Sequence, residues 1–193
     1  MSIKPYLGGL LLVAGLAAGS LFTAQTANAA GPFTLESATF KDGGQLAVKN
    51  AGDTKSNKNC VGQNVSPPLA WKNEPAGTKS FAIVVRDLLA GKGMGGVHWL
   101  AYGIPASVHA FAENEVSKPS SKFVGGLNSR KMLTYGGPCT PPNTTWHHYI
   151  FTLIATDLDP KALKEGLTMD QFFAALKGHA KGGTETIGYF KHP

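Results

Sequence analysis

Asp87, His98 and the run His147-His148-Tyr149 carry most of the chemistry this chain can offer. Asp87 closes one apolar run, His98 opens a second, and the histidine pair opens a third. A proline-glycine stretch, Tyr135-Gly-Gly-Pro-Cys-Thr-Pro-Pro142, precedes the pair. A histidine within reach of a carboxylate has its charged form favoured. A doubly donating imidazolium beside a tyrosine hydroxyl suits a phosphate or carboxylate oxygen. Glycine admits close backbone approach, so Gly136-Gly137-Pro138 is expected to add N–H donors. The grouping suggests a preformed pocket for a small anionic group. A hydrolase using Asp87 and a histidine on a bound ester is the alternative. It lacks an evident nucleophile, because no serine or thiol is identifiably paired with a base.

Three strands must bring these groups together. Ser80 to Val85 is a continuous apolar run, as expected of a strand buried on both faces. Val97 to Ile104 and His147 to Thr156 are the other two. If the three are neighbours, Asp87, His98 and His147 converge. Side chains alternate along a strand, so His147 and Tyr149 share a face and His148 points the other way with Ile150. His147 is therefore the pocket residue, and His148 a partly exposed one. The same alternation groups His98 with Leu100 and Tyr102, opposite Val97, Trp99 and Ala101. Replacing His147 by alanine is expected to abolish anion uptake without unfolding the domain.

Other elements follow from pattern. Phe33 to Phe40 alternates as a strand, and Gln45 to Val48 is a shorter candidate. Asn50 to Pro68 is a polar loop, order restarts at Leu69 to Trp71, and Glu185 to Phe190 is a final strand. Ala112 to Pro142 is long and irregular, which in a compact domain usually marks function. Asp159-Pro160, with Gly166 as a stop, predicts a helix. Thr168-Met-Asp-Gln171 is a capping box opening a second helix through Leu176, with Gly178 beyond its end.

Composition agrees with a mostly β chain. With 24 glycines and 12 prolines among 193 residues, turns are abundant, while a hydrophobic fraction of 42% is enough for one core. Residues 1–29 read as a signal peptide: Lys4 is the charged start, Leu7 to Leu16 is apolar, and Ala27-Asn28-Ala29 is a small-x-small cleavage site. The alternative is an uncleaved anchor extended to Phe22. A single domain over 30–193 would remain, periplasmic or secreted, with no later segment apolar enough to span a bilayer. The net charge of +6 falls to +5 without Lys4, the only charge before Ala30. The lysines are scattered, so attraction to anions is weak and nucleic-acid binding is not expected. An even cysteine count in an exported chain favours one disulfide, Cys60 to Cys139, over two buried thiols. Gly91-Lys-Gly-Met-Gly-Gly96 matches G-x-G-x-x-G but leads into a strand, not a helix, and reads as a mobile hairpin loop. No cofactor motif is present.

Five segments resemble the phosphatidylethanolamine-binding protein family, specifically its bacterial Raf kinase inhibitor-like branch. They are Asn64-Val-Ser-Pro-Pro-Leu-Ala-Trp71, Phe81-Ala-Ile-Val-Val-Arg-Asp87, His98-Trp99, Tyr135-Gly-Gly-Pro-Cys-Thr-Pro-Pro142 and His147-His-Tyr-Ile-Phe151. The resemblance implies an antiparallel β-sandwich with a few short peripheral helices. It implies an anion pocket for a phosphate, phospholipid headgroup or carboxylate, lined by Asp87, His98, Tyr135, Gly137, Pro138, Pro141, His147 and Tyr149. It also implies a pocket without metal, although Asp87, His98 and His147 are chemically able to hold zinc. The family name implies inhibition of a protein partner, but nothing in this chain locates such an interface. One departure stands out: the family usually continues Asp-Pro-Asp-x-Pro, where this chain reads Asp87-Leu-Leu-Ala-Gly91. A less acidic, more flexible rim is expected.

Overall fold

The computed structural model describes Met1 and residues 31–193; the signal-peptide reading of residues 1–29 lies outside the described residues. In chain order the elements are β1 (Thr34–Glu36), β2 (Gly44–Gln45), β3 (Leu69–Lys72), β4 (Ser80–Asp87), α1 (Ala90–Gly93), β5 (Gly96–Pro105), β6 (Ala110–Phe111), β7 (Val124–Gly126), β8 (His147–Thr156), α2 (Met169–Leu176) and β9 (Ala180–Phe190). A six-stranded sheet runs β2-β9-β8-β4-β5-β7, and a three-stranded sheet runs β1-β3-β6. Pairing is antiparallel apart from the short parallel contact of β2 with β9. Among the described residues no helix is long and apolar enough to cross a membrane.

β4 reads as an unbroken apolar run because both its faces are covered. Phe81, Ile83 and Val85 enter the core shared with Leu35, Leu69, Trp71 and Phe111 of the smaller sheet. Ala82 and Val84 face outward onto Leu100, Tyr102 and Phe172, the last from α2. Edge-on aromatic contacts tie the sheets together, with Trp71 and Phe81 centroids 5.5 Å apart and Trp99 and Phe111 5.8 Å apart. Full burial of one such side chain contributes roughly 1.5–3 kcal/mol.

α2 forms where the capping box places it. The Thr168 hydroxyl accepts from the Gln171 N–H and the Gln171 amide oxygen accepts from the Thr168 N–H, while Gly178 takes φ +84° beyond its end. Several elements differ from expectation. The first strand covers only Thr34–Glu36, although Phe33 and Phe40 still pack on Phe81 and Phe151. β2 stops at Gln45, because Val48–Asn50 is a 3₁₀ turn. β9 starts earlier, at Ala180, since its first residues pair through backbone alone with Thr156, Ala155 and Ile154. No helix forms between Asp159 and Gly166. There the Asp159 carboxylate accepts from the Lys161 N–H, and the Tyr102 hydroxyl donates to the Lys164 carbonyl. A segment this short cannot repay helix nucleation against such contacts.

Candidate functional site

β4 lies between β5 and β8, so the three strand ends meet. Asp87 pairs with Gly96 on one side and with Tyr149 on the other. The register slips where Val85 opposes Trp99 but Arg86 opposes Val97, leaving His98 as the extra residue of a β-bulge. The bulge corrects the expected alternation. Val97 joins Leu100 and Tyr102 in the outer core, and His98 turns to the inner side, its ring 4.9 Å from that of Tyr149.

The result is a cavity of about 530 Å³ walled by Asp87, His98, Arg130, Thr140, Pro141, His147 and Tyr149, with Asn57, Lys92, Ser129, Cys139 and Thr144 also lining it. Asp87 is buried, and both its oxygens are engaged: His147 Nδ1 lies 2.7 Å from Oδ2, and the Leu89 N–H donates to Oδ1 at 2.9 Å. His147 is thus clamped by a carboxylate, which fixes its ring and leaves Nε2 as its second polar atom. Removing His147 would strand a buried carboxylate, a change that costs roughly 3–5 kcal/mol. His147→Ala is therefore expected to lower the unfolding midpoint as well as anion uptake.

His98 faces the Gly136 carbonyl through Nδ1 at 2.7 Å. Only an N–H makes a bond to a carbonyl, so neutral His98 presents Nε2 to the cavity as an acceptor. Burial pushes its pKa down to about 4, and the charge of Arg130 adds to this, while the Gly136 bond and Asp87 oppose it. The doubly donating imidazolium expected from sequence is therefore not found at His98 at neutral pH, because that ring is uncharged there.

This has a consequence for folding. The unfolded chain takes up a proton at His98 below about pH 6.5, and the folded chain does so only near 4. The stabilisation is complete above 6.5 and is lost as pH falls to 4, amounting to about 3 kcal/mol. Denaturant titrations across that window should show a slope that His98→Gln flattens; an equal slope in both proteins would refute the assignment.

Three residues expected in the pocket wall stand outside it. The Tyr135 hydroxyl donates to the Asn50 carbonyl, the Gly137 N–H donates to the Asn64 side-chain oxygen, and the Pro138 carbonyl accepts from the Gly52 N–H. The Gly136 N–H is also occupied, by the His98 carbonyl. The glycine-proline stretch supplies close packing in place of the expected N–H donors for a ligand. A Cβ on Gly137 would collide with the Asn50 carbonyl oxygen and come within 2.7 Å of the Gly52 nitrogen. Gly137→Ala is accordingly expected to destabilise the fold by about 1–3 kcal/mol, read as a lowered unfolding midpoint. An unchanged midpoint would contradict this packing.

Arg130 escaped the sequence reading. Asn128 builds the turn that presents it: its side-chain oxygen accepts from the Arg130 and Met132 N–H groups, and its amide donates to the His98 carbonyl. The guanidinium donates to Cys139 Sγ at 3.2 Å and to the Gly137 carbonyl at 2.7 Å. Two of its five N–H groups are thereby used. Among the described residues no carboxylate lies in ion-pair range of Arg130. Burial lowers its pKa, yet guanidinium stays charged in proteins. Burial, with Asp87 adding, raises the Tyr149 pKa, so its hydroxyl stays protonated, 3.2 Å from that of Thr140. Among the described residues no three histidine, cysteine or acidic side chains are grouped to hold a metal ion.

A family model described as phosphatidylethanolamine-binding protein matches residues 36–191, which takes in every wall of the cavity and both sheets apart from Thr34 and Leu35. This chain belongs to the phosphatidylethanolamine-binding protein family. Among relatives, LppC of Mycobacterium tuberculosis, named as a lipoprotein, is 34% identical over 169 residues, covering 86% of this chain and 75% of LppC. YbcL of Escherichia coli, named as a UPF0098 protein, is 35% identical over 149 residues, covering 75% of this chain and 78% of YbcL. The crystal structure of Escherichia coli YbcL, described as a new member of the mammalian phosphatidylethanolamine-binding protein family, superposes with a TM-score of 0.74 at 29% identity, over 82% of this chain and 98% of that one. The two-sheet phosphatidylethanolamine-binding protein fold is thus shared with a solved relative.

Proposed function

We propose that this protein is an exported binding protein whose cavity takes a small anionic group: a phosphate, a phospholipid headgroup or a carboxylate. The observation that carries the reading is a half-buried guanidinium, Arg130, with no carboxylate partner among the described residues, in the wall of a cavity whose one acid is already engaged by His147. A charged donor facing a partly dehydrated space favours an anion. His98 adds an acceptor at Nε2, so a group bearing both an anionic oxygen and a hydroxyl donor, such as monohydrogen phosphate, meets both. Among the described residues no hydroxyl or thiol in the wall is hydrogen-bonded to either imidazole, which supports binding over turnover. The formed disulfide and the lipoprotein name of LppC support export; finding the protein confined to the cytoplasm would count against it.

Isothermal titration with inorganic phosphate tests the ligand. Saturable one-site binding is expected. His98 contributes no charge between pH 8 and 5.5, so protonation of that ring cannot strengthen binding there. Absence of binding for phosphate and acetate alike would overturn the proposal.

A further inference from the structure

His147 and His148 point to opposite faces of β8, so the strand that closes the anion cavity also furnishes a second hollow behind it. This hollow, about 490 Å³ and open to solvent, is lined by Gly43, Gln45, Trp146, His148 and Tyr189. His148 and Tyr189 are register partners, with ring centroids 4.5 Å apart at 65°. Trp146 ends the loop whose Pro141 and Thr144 wall the cavity, and 41% of it is exposed, whereas Trp71 and Trp99 are buried. The helix α2 packs over Tyr102 and Leu100, not over this corner.

The lining chemistry narrows the occupant. It holds no side chain of fixed charge, so nothing there selects an ionised ligand. It offers two broad aromatic rings, whose faces attract the C–H side of a saturated ring. Gln45 and His148 supply planar donors and acceptors of the kind that read hydroxyls. Gly43 takes φ +69°, which favours glycine, and sits beside the Tyr189 ring. Apolar faces with a few polar edges are the usual make-up of a small-ligand site. We propose that the hollow formed by Trp146, His148, Tyr189 and Gln45 is a second binding site, for a neutral sugar ring of a glycan chain.

Tryptophan emission reads this site selectively, because Trp146 is the one exposed tryptophan of three. Titration of the purified protein with chitotetraose and with maltotetraose is expected to give a saturable emission shift with at least one of them. Trp146→Ala should abolish the shift. Tyr189→Ala should weaken binding by about tenfold, from the loss of a stacking ring, and Tyr189→Phe should restore it. Phosphate at saturating concentration should leave the shift in place. Two results would overturn the proposal: neither saccharide altering emission or amide chemical shifts, or adenosine binding in the hollow where both saccharides fail. Persistence of the shift in Trp146→Ala would do the same, since it would then arise at Trp71 or Trp99.

Discussion

Arg130→Ala is expected to weaken phosphate binding on the order of 100-fold, about 3 kcal/mol from the loss of charge-assisted hydrogen bonds. The size follows from position. The guanidinium is half-buried in the cavity wall and its charge is not cancelled by an acid in ion-pair range among the described residues. Lys92 also lines the cavity but is exposed, and an exposed charge is screened by water and salt. Arg130→Lys should recover part of the affinity, because it keeps the charge but loses the planar fork. Both variants need a thermal unfolding check, since Arg130 also donates to Cys139 and Gly137. A folded Arg130→Ala protein with unchanged affinity would remove the basis of the binding proposal.

Loss of the Cys60–Cys139 bridge should have the largest effect on stability. The bond joins residues 79 apart, and closing a loop that long lowers the entropy of the unfolded chain by an amount worth about 4 kcal/mol. Its effect should reach the cavity, because Cys139 forms part of the wall and receives a bond from Arg130. The double variant Cys60→Ser, Cys139→Ser is expected to unfold at lower denaturant, and to bind phosphate more weakly even where it remains folded. Thiol titration of the denatured, unreduced wild type should find no free thiol. Two free thiols, or an unchanged unfolding midpoint in the double variant, would contradict this.

The parts legible in sequence are those where one physical signal dominates. His147 to Thr156 is bounded to the residue because alternation, burial and the preceding Pro141-Pro142 turn agree. The helix at Thr168 is legible because its cap is local: two side chains satisfy two backbone groups within four residues. The Asp159 segment carries similar local signals and fails, because tertiary bonds from Tyr102 decide it. His98 shows another limit. A β-bulge inserts one residue without any mark in the apolar pattern, so alternation placed the ring on the wrong face. Its uncharged state is not legible in sequence either, as only the packed cavity desolvates it. Arg130 carried no signal at all. It sits in irregular chain, and its role depends on Asn128, His98 and Cys139 being brought around it. Close approach is found at both glycines, but the neighbour of Gly137 is the chain's own backbone near Asn50 and those of Gly136 are the side chains of Arg130 and Asn128.

The central claim is that Arg130, His98 and His147 surround one anion. A crystal of the protein grown with inorganic phosphate tests it most directly. The account predicts phosphate density inside the cavity, within hydrogen-bond distance of the Arg130 guanidinium and of a ring nitrogen of His98 or His147. Phosphate held only elsewhere on the surface, with the cavity filled by water alone, would contradict it.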